Sequence, residues 1–226
     1  MSNLKKIISY SLFSSDKRYL INAFVNIELC LELYSDWICR IYYDESVPFK
    51  IIDKLSQQKI ELIKETGSNH DRRMWRFYAY DDSDIFISRD IDSHINLREK
   101  LAVETWINSD KNLHIMRDHN RHKNKILAGM FGLKKNNKLE NLKQKILSYV
   151  NQNKNTHKMD ENFLQDFVYP LYKNDMMVFD DYNFYKNEIK TKWSISIIDN
   201  NFIGKRQHPP TENIELYKKY ESDCIL

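Results

Sequence analysis

The sequence predicts an α/β protein whose open, mostly parallel β-sheet carries helices on both faces. Strand and helix signals alternate along residues 4–116, a pattern typical of parallel strands joined by crossover helices. The chain has 226 residues, 42% of them hydrophobic, which is enough for one sizeable core. It has only four glycines and contains neither a GxGxxG nor a GxxxxGK[ST] string, so these glycine-rich phosphate-binding loops are excluded.

The first strand and the first helix are predicted between residues 4 and 34. LKKIISYSLF at 4–13 contains the apolar run of a buried strand. Ser14, Ser15 and Asp16 then offer side-chain caps for a helix. Apolar residues follow at spacings of three and four, which predicts an amphipathic helix. These residues are Leu20, Phe24, Ile27, Leu31 and Tyr34.

Four more strands and three more helices are predicted before residue 117. Aromatic and β-branched residues, which favour strands, are concentrated at 37–44. Pro48 suits the first turn of a helix, and Asn96 can cap another. The predicted strands are 37–44, 59–64, 84–88 and 113–116, and the predicted helices are 48–55, 71–80 and 97–109.

The pattern changes after Gly132, where the chain becomes basic and polar. Proline and clusters of polar residues indicate where helices end and loops begin. The predictions are a helix at 139–150, an exposed loop at 151–158, a helix at 160–168 that ends at Pro170, short strands and loops after residue 175, and a loosely docked tail at 211–226.

Charge and cysteine content exclude several classes of protein. Thirty-five basic and 32 acidic residues are interspersed and give a net charge of +3, which excludes a polybasic nucleic-acid arm or an acidic tail as the main feature. Cys30, Cys39 and Cys224 have neither CxxC nor metal-ligand spacing and indicate reduced thiols. No apolar run reaches the roughly 18 residues of a membrane span, and no signal-peptide cleavage pattern is present. We therefore expect a cytoplasmic protein.

The residues best suited to chemistry follow the strand predicted at 84–88. Ligands of open α/β sheets bind beyond the carboxyl ends of the strands. Asp90 and Asp92 lie there two positions apart, so on an extended backbone their side chains project to the same side, with Cα atoms about 7 Å apart. Such a pair can hold one divalent ion and leave positions for phosphate oxygens. The structural alternative is a solvated acidic turn.

Longer strings in the chain resemble one group of proteins. The strings are SLFSS at 11–15, RIYYDESVP at 40–48, WRF at 75–77, RDIDS at 89–93, HIMRDHNRH at 114–122 and AGMFG at 128–132. They resemble the small GT-A glycosyltransferases of large algal DNA viruses that glycosylate capsid protein, and their bacterial polysaccharide relatives. Asp90 and Asp92 match the DxD motif of that group. The resemblance spans residues 5–180.

The resemblance implies a GT-A-like fold and transfer of a sugar from a nucleotide-diphospho-sugar, with a UDP-sugar favoured, to a glycan or glycoprotein. It implies Mn²⁺ or Mg²⁺ as cofactor, held by Asp90 and Asp92, and slightly favours a retaining reaction. We expect one glycosyltransferase domain over 1–226, with 1–115 binding the nucleotide sugar, 116–210 forming the acceptor side and 211–226 as a tail. Nucleic acid and a membrane span are not expected.

Further site residues are predicted from the resemblance and from side-chain chemistry. Arginine forks suit phosphate oxygens, and carboxyl or imidazole groups can transfer protons. The nucleotide-sugar-binding candidates are Ser11, Tyr19, Arg72, Arg73, Arg89 and Asp90, the catalytic candidates are Asp118, His119 and Asp160, and the acceptor-side candidates are His122, Gly129 and Glu161. Each has a structural alternative, such as an ion pair of Arg89 with Glu99 or Asp84.

Four positions depart from the pattern of the group. Asn120 stands where proline is common, and Ala128 and Phe131 replace a glycine and a tryptophan of a GGxWG-like run. These changes should reshape the acceptor side more than the metal site. Phe179 stands where related enzymes often have a histidine that completes the metal shell. The sequence therefore names no third protein ligand.

Two other functions fit parts of the sequence. Asp90 and Asp92 with His119 and His122 could form the site of a metal-dependent nuclease, and basic residues at 121–125 and 134–145 would bind phosphates. Against this, the His-Asn-His nuclease pattern needs a ββα hairpin, whereas this segment follows a long α/β run. A glycan- or nucleotide-binding module without turnover is the non-enzymatic alternative.

Overall fold

A mixed eight-stranded sheet, in the order β3-β2-β1-β4-β6-β5-β7-β8, runs through the described part of the chain. The structure is a computed structural model that describes residues 4–67, 71–153, 158–197, 200–208, 210 and 212–224. All neighbouring strands are parallel except where β6 pairs with β4 and β5. The predicted fold class is confirmed. The strands are β1 (Lys6–Leu12), β2 (Ile38–Tyr43), β3 (Glu61–Lys64), β4 (Ile85–Arg89), β5 (Leu113–Arg117), β6 (Met130–Lys134), β7 (Met176–Asp180) and β8 (Lys190–Thr191).

The helices begin and end close to the predicted positions in the first half of the chain. Asp16 accepts a hydrogen bond from the Arg18 amide and Asn96 accepts one from the Glu99 amide, so both predicted caps form. The segment predicted as a helix at 71–80 is a 3₁₀ helix, Arg72–Asp82. The α-helices are α1 (Lys17–Leu33), α2 (Phe49–Ser56), α3 (Leu97–Ile107), α4 (Leu142–Gln152), α5 (Met159–Phe163), α6 (Tyr169–Tyr172) and α7 (Ile214–Glu221).

Strand β6 is absent from the sequence-based prediction. It lies between β4 and β5 and runs antiparallel to both. Gly132 obscures it, because glycine is rare in strand interiors. Glycine is required here, since a Cβ at this position would lie 2.9 Å from the Phe86 carbonyl oxygen and 3.0 Å from the Trp106 ring.

The helical segment around Pro170 corrects a second prediction. Residues Leu164–Val168 form a π-helical turn that leads directly into α6, so the helix continues through Pro170 to Tyr172. A wider turn before proline relieves the clash of its ring with the preceding carbonyls. Of the loop predicted at 151–158, residues 151–152 belong to α4, and 154–157 lie outside the described residues.

Both faces of the sheet are covered by packed hydrophobic side chains. On one face, Ile8 and Tyr10 of β1 pack with Phe24 and other residues of α1. On the other face, Ile7 of β1 packs with Trp75 of the 3₁₀ helix and with residues of α4 and α5. This alternation along β1 is what a strand buried on both sides requires.

The C-terminal residues differ from the expected loosely docked tail. Helix α7 packs on α1, where the Tyr220 ring stacks on Phe24 with 4.9 Å between ring centroids. Lys219 Nζ lies 2.6 Å from the Glu28 carboxylate. A short apolar helix face with two tyrosines is a weak sequence signal, and its docking depends on α1. Among the described residues, no helix is long and apolar enough to span a membrane.

Candidate functional site

A cleft of about 700 Å³ opens beyond the carboxyl ends of β1 and β4, where open α/β sheets bind their ligands. Its volume is that of sites for small molecules and cofactors. Its walls come from the end of β1, the 3₁₀ helix, the turn after β4, the loop before β6, α5 and a C-terminal segment. The lining includes Ser11, Phe13, Tyr19, Arg73, Arg76, Asp90, Asp92, His122, Gly129, Asp160, Glu161, Gly204 and Arg206.

The turn after β4 brings Asp90 and Asp92 into this cleft. The Ser93 amide donates to the Asp90 carbonyl oxygen over 3.3 Å, which closes the turn. The Asp90 side chain is 44% exposed and the Asp92 side chain 21%. The predicted acidic pair therefore lines the cleft with both carboxylates.

Arg76 is the central cation of the cleft. Its Nη1 lies 2.5 Å from Asp90 Oδ1, and its Nη2 lies 3.4 Å from Asp160 Oδ2. Its backbone amide donates to Ser11 Oγ over 3.1 Å. The side chain is only 6% exposed, so one buried guanidinium links the acidic pair to α5. Arg76 lies within the WRF string at 75–77 but is not among the predicted site residues.

The two carboxylates of the pair are in different electrostatic environments. Partial burial would raise the pKa of Asp90, but the adjacent Arg76 guanidinium more than offsets this and lowers the pKa below its ordinary value. Burial, together with the negative charge of Asp90, raises the pKa of Asp92. The charge of Asp92 is therefore the less well compensated of the two.

Gly129 makes room for the acidic pair. A Cβ at this position would collide with the Asp90 carboxylate and would lie 2.9 Å from the Asp90 amide nitrogen. The carboxylate of Asp90 therefore occupies the space that a side chain at 129 would fill. Glycine at 129 therefore allows the loop before β6 to lie directly against Asp90.

The described residues 200–208, which we call the C-terminal strap, form the last wall of the cleft. The Gln207 amide donates to the Asp92 carbonyl oxygen over 2.8 Å, and Arg206 forms an antiparallel bridge with Ser93. Arg206 Nε lies 3.5 Å from Asp92 Oδ2, and its side chain is 86% exposed. Gly204 has a φ of +79°, and a Cβ there would lie 2.7 Å from Met130 Sδ.

The acidic pair suits a hard divalent cation. Both donors are carboxylate oxygens, which Mg²⁺ and Mn²⁺ prefer. Burial and the charge of Asp90 raise the pKa of Asp92, and a bound cation would offset both effects. No group of three His, Cys, Asp or Glu side chains among the described residues is arranged to hold a metal. The remaining ligands would be phosphate oxygens and water, which is usual for Mg²⁺.

Nine of the predicted site residues line the cleft. Tyr19 is half-buried and Arg73 is exposed. Burial, with the charge of neighbouring Asp160, raises the pKa of Glu161. Burial lowers the pKa of His122 to about 4, so its ring is neutral. The nine are Ser11, Tyr19, Arg73, Asp90, Asp92, His122, Gly129, Asp160 and Glu161.

Arg72 and Arg89 lie outside the cleft lining. Arg72 Nε points to Asp44, at 2.8 Å from its carboxylate. Arg89 is fully buried, forms a 2.9 Å ion pair with Glu99 and donates to the Gly129 carbonyl oxygen. Arg89 thus takes the structural alternative considered for it and supports the backbone behind Asp90.

Asp118 and His119 also lie outside the lining. Asp118 is fully buried, 3.3 Å from Arg98 Nε, and accepts a hydrogen bond from the Ile203 amide. Burial raises the pKa of Asp118 to about 6. His119 stacks on Phe202 with 4.0 Å between ring centroids. Both residues therefore contact the C-terminal strap.

Phe179 is part of the hydrophobic packing, and the segment considered for a nuclease site connects two strands. Phe179 is buried beside the His114 and Trp193 rings, and its neighbour Asp180 pairs with Arg117. Residues 118–129 form the connection between antiparallel β5 and β6. This connection contains no helix, so His119 and His122 lie on a loop.

Comparison with known proteins gives matches among solved structures. No protein-family model and no curated protein matches the sequence. A glycosyltransferase involved in glycosylation of the major capsid of PBCV-1 matches with a TM-score of 0.52 and 18% identity, over 79% of this chain and 82% of that chain.

Two bacterial structures match in the same way. For residues 1–349 of S. aureus TarS the TM-score is 0.51 and the identity 13%, over 79% of this chain and 58% of that chain. For the glycosyltransferase GlyE of Streptococcus pneumoniae TIGR4 they are 0.52 and 13%, over 80% and 47%. This chain spans about half the length of these two. The likenesses confirm the resemblance found in the sequence, and the chain has the fold of the GT-A glycosyltransferases.

Proposed function

We propose that the protein is a metal-dependent glycosyltransferase that moves a sugar from a nucleotide-diphospho-sugar to a glycan or glycoprotein. One observation carries the proposal. An acidic pair suited to a divalent cation shares one cleft, at the carboxyl ends of β1 and β4, with Arg73, Arg76 and Arg206. A diphosphate needs both kinds of partner, cations for its own oxygens and carboxylates for its metal.

The three arginines have different roles in this proposal, since one positions carboxylates and two face the phosphates. Arg76 already contacts Asp90 and Asp160 and fixes their positions. Arg73 and Arg206 are exposed in the lining, so their forks are available for phosphate oxygens. Mn²⁺ or Mg²⁺ at Asp90 and Asp92 would act as a Lewis acid for the departing diphosphate.

The nucleoside is expected at the end of β1. Phe13 and Tyr19 offer aromatic rings for a base, and Ser11 lies beside them. The choice of uridine rests on the resemblance to the capsid-glycosylating group alone. The base is therefore the part of the donor that most needs a direct measurement.

The acceptor is expected near His122, Asp160 and Glu161. The raised pKa of Glu161 suits a carboxyl group that exchanges a proton or hydrogen-bonds a hydroxyl. Asp160 is held in place by Arg76. The resemblance favours a retaining reaction, and the anomeric configuration of the product, measured by NMR, tests this.

Calorimetry with UDP and GDP, each with Mn²⁺ and with EDTA, tests the proposal. UDP should bind in the presence of Mn²⁺ and at least about tenfold more weakly in EDTA. A screen of UDP-sugars for nucleotide release then separates a transferase from a binding module. Failure of both nucleotides to bind, or cleavage of plasmid DNA with Mn²⁺, would overturn the proposal.

A further inference from the structure

A buried polar cluster behind the cleft is not used by the proposed chemistry. It consists of Asn22 of α1, His94 after the acidic pair and Asn213 at the start of α7. His94 Nε2 lies 2.7 Å from Asn22 Oδ1, and His94 Nδ1 lies 3.1 Å from Asn213 Nδ2. Asn22 is fully buried and His94 is 3% exposed. Buried polar groups are costly unless they are paired, so this arrangement is specific.

The hydrogen bonds determine the protonation of His94. Asn22 Nδ2 donates to the Arg18 and Gln207 carbonyl oxygens, so Asn22 Oδ1 faces His94 and can only accept. His94 Nε2 therefore carries the proton, and His94 Nδ1 accepts a hydrogen bond from the side-chain Nδ2 of Asn213.

The cluster reaches the cleft through the C-terminal strap. Asn22 Nδ2 donates to the Gln207 carbonyl oxygen over 3.3 Å, and the Gln207 amide donates to the Asp92 carbonyl oxygen over 2.8 Å. Gln207 is thus held from both sides. Its neighbour Arg206 carries the guanidinium that faces Asp92.

We propose that Asn22, His94 and Asn213 form a clamp that positions the C-terminal strap, and with it Arg206, against the acidic pair. They are positioning residues, because they act on a ligand only through Gln207 and Arg206. The effect on nucleotide binding rests on the proposed function, whereas the effect on the strap does not. Since the clamp joins α1, the turn after β4 and α7, its loss should loosen the strap while the sheet stays folded.

Two variants and one matched control test the clamp. Asn213 has a φ of +51° at the start of α7 and makes no side-chain cap, so Asn213→Gly keeps the backbone and removes the bond to His94. Asn141 has a φ of +53° at the start of α4, also without a side-chain cap, which makes Asn141→Gly the matched control. His94→Phe keeps a ring and removes both bonds.

Hydrogen–deuterium exchange of the 226-residue chain measures the local stability of the strap without any ligand. Exchange in peptides covering 203–208 should be about tenfold faster in Asn213→Gly and in His94→Phe, as expected for the loss of a buried hydrogen bond. Exchange in β1 should not change, and Asn141→Gly should match the wild type. Unchanged exchange at 203–208 in Asn213→Gly would overturn the clamp, even if His94→Phe fails to fold.

Calorimetry with UDP and GDP in Mn²⁺ then measures the consequence. Asn213→Gly should raise the Kd of the bound nucleotide about tenfold, and with an active donor the KM for the donor should rise more than kcat falls. Faster exchange with an unchanged Kd would overturn the positioning role. If the wild type binds neither nucleotide, the proposed function fails, while the exchange result still decides whether the clamp exists.

Discussion

At the level of single residues, the cleft explains why the role of Arg76 is not predicted from the sequence. Arg72 and Arg73 are the more obvious candidates, because they stand together before an aromatic run. In a 3₁₀ helix, however, residues three apart share one face, so Arg73 and Arg76 line the cleft while Arg72 pairs with Asp44. Asp90 and Asp92, by contrast, could be predicted, because their position after a buried strand places them at the sheet edge.

Replacement of Arg76 should impair both stability and binding. Arg76→Met removes the cation beside Asp160, whose side chain is only 9% exposed, and should cost about 3 kcal/mol of the free energy of unfolding. Nucleotide binding should weaken about a hundredfold, because Asp90 loses its position. Arg72→Met is the matched control: it breaks the Asp44 pair but should retain binding. Calorimetry and denaturant melts measure both, and equal loss of binding in the two variants would contradict the assignment.

Replacement of Asp92 should separate activity from stability. The pKa of Asp92 is raised, so its charge is unfavourable in the folded protein without metal, and Asp92→Asn removes that cost. In EDTA the variant should melt at or above the wild-type temperature, yet transfer sugar about a thousandfold more slowly with Mn²⁺.

Asp110→Asn, at a side chain that is 83% exposed, serves as the control and should resemble the wild type. Full activity of Asp92→Asn, or a loss of activity explained by unfolding, would show that the acidic turn is structural.

Helices and strands differ in how readily the sequence predicts them. The parallel strands and α1, α2 and α3 follow from apolar spacing and from caps at Asp16 and Asn96. Strand β6 could not be predicted, because it contains Gly132. Glycine is needed there only because the strand packs closely against Phe86 and Trp106 in the folded protein. Helix α7 was missed for a similar reason, since its tyrosines are buried only when it packs on α1.

The docking of α7 leads to a prediction at this scale. Tyr220→Ala removes a ring that is 7% exposed and stacked on Phe24, and should reduce the free energy of unfolding by about 3 kcal/mol. Tyr182→Ala, at a residue that is 45% exposed, should change it by less than about 0.5 kcal/mol. Urea denaturation measures both. A Tyr220→Ala protein as stable as the Tyr182→Ala control would mean that α7 is not docked in solution.

Across the whole molecule, buried histidines and buried carboxyl groups act in opposite directions with pH. Burial lowers the pKa of His114 to about 3, with a further contribution from Arg89. Burial raises the pKa of Glu99 to about 7. Acid destabilises the fold through such histidines, because the unfolded chain takes up the proton first. It stabilises the fold through Glu99, which takes up its proton in the folded state first.

His114→Phe should change the pH dependence of stability. Both His114 ring nitrogens lack a hydrogen-bond partner among the described residues, and the ring stacks on Trp106, so phenylalanine can replace it. As the pH falls from about 6.5 to about 4.5, the variant should gain about 1.4 kcal/mol per pH unit relative to the wild type. Parallel stability curves for the two proteins, from urea melts at each pH, would contradict the neutral state assigned to His114.

The C-terminal strap is the last wall of the cleft to be synthesised. Ser11 and Arg206 line the same cleft, although nearly the whole chain separates them. During synthesis β1, β4 and the acidic pair leave the ribosome long before the strap does. A nascent chain that stops before residue 200 has the carboxylates but lacks the wall that carries Gly204 and Arg206. The cleft is therefore complete only in chains that have been translated beyond Arg206.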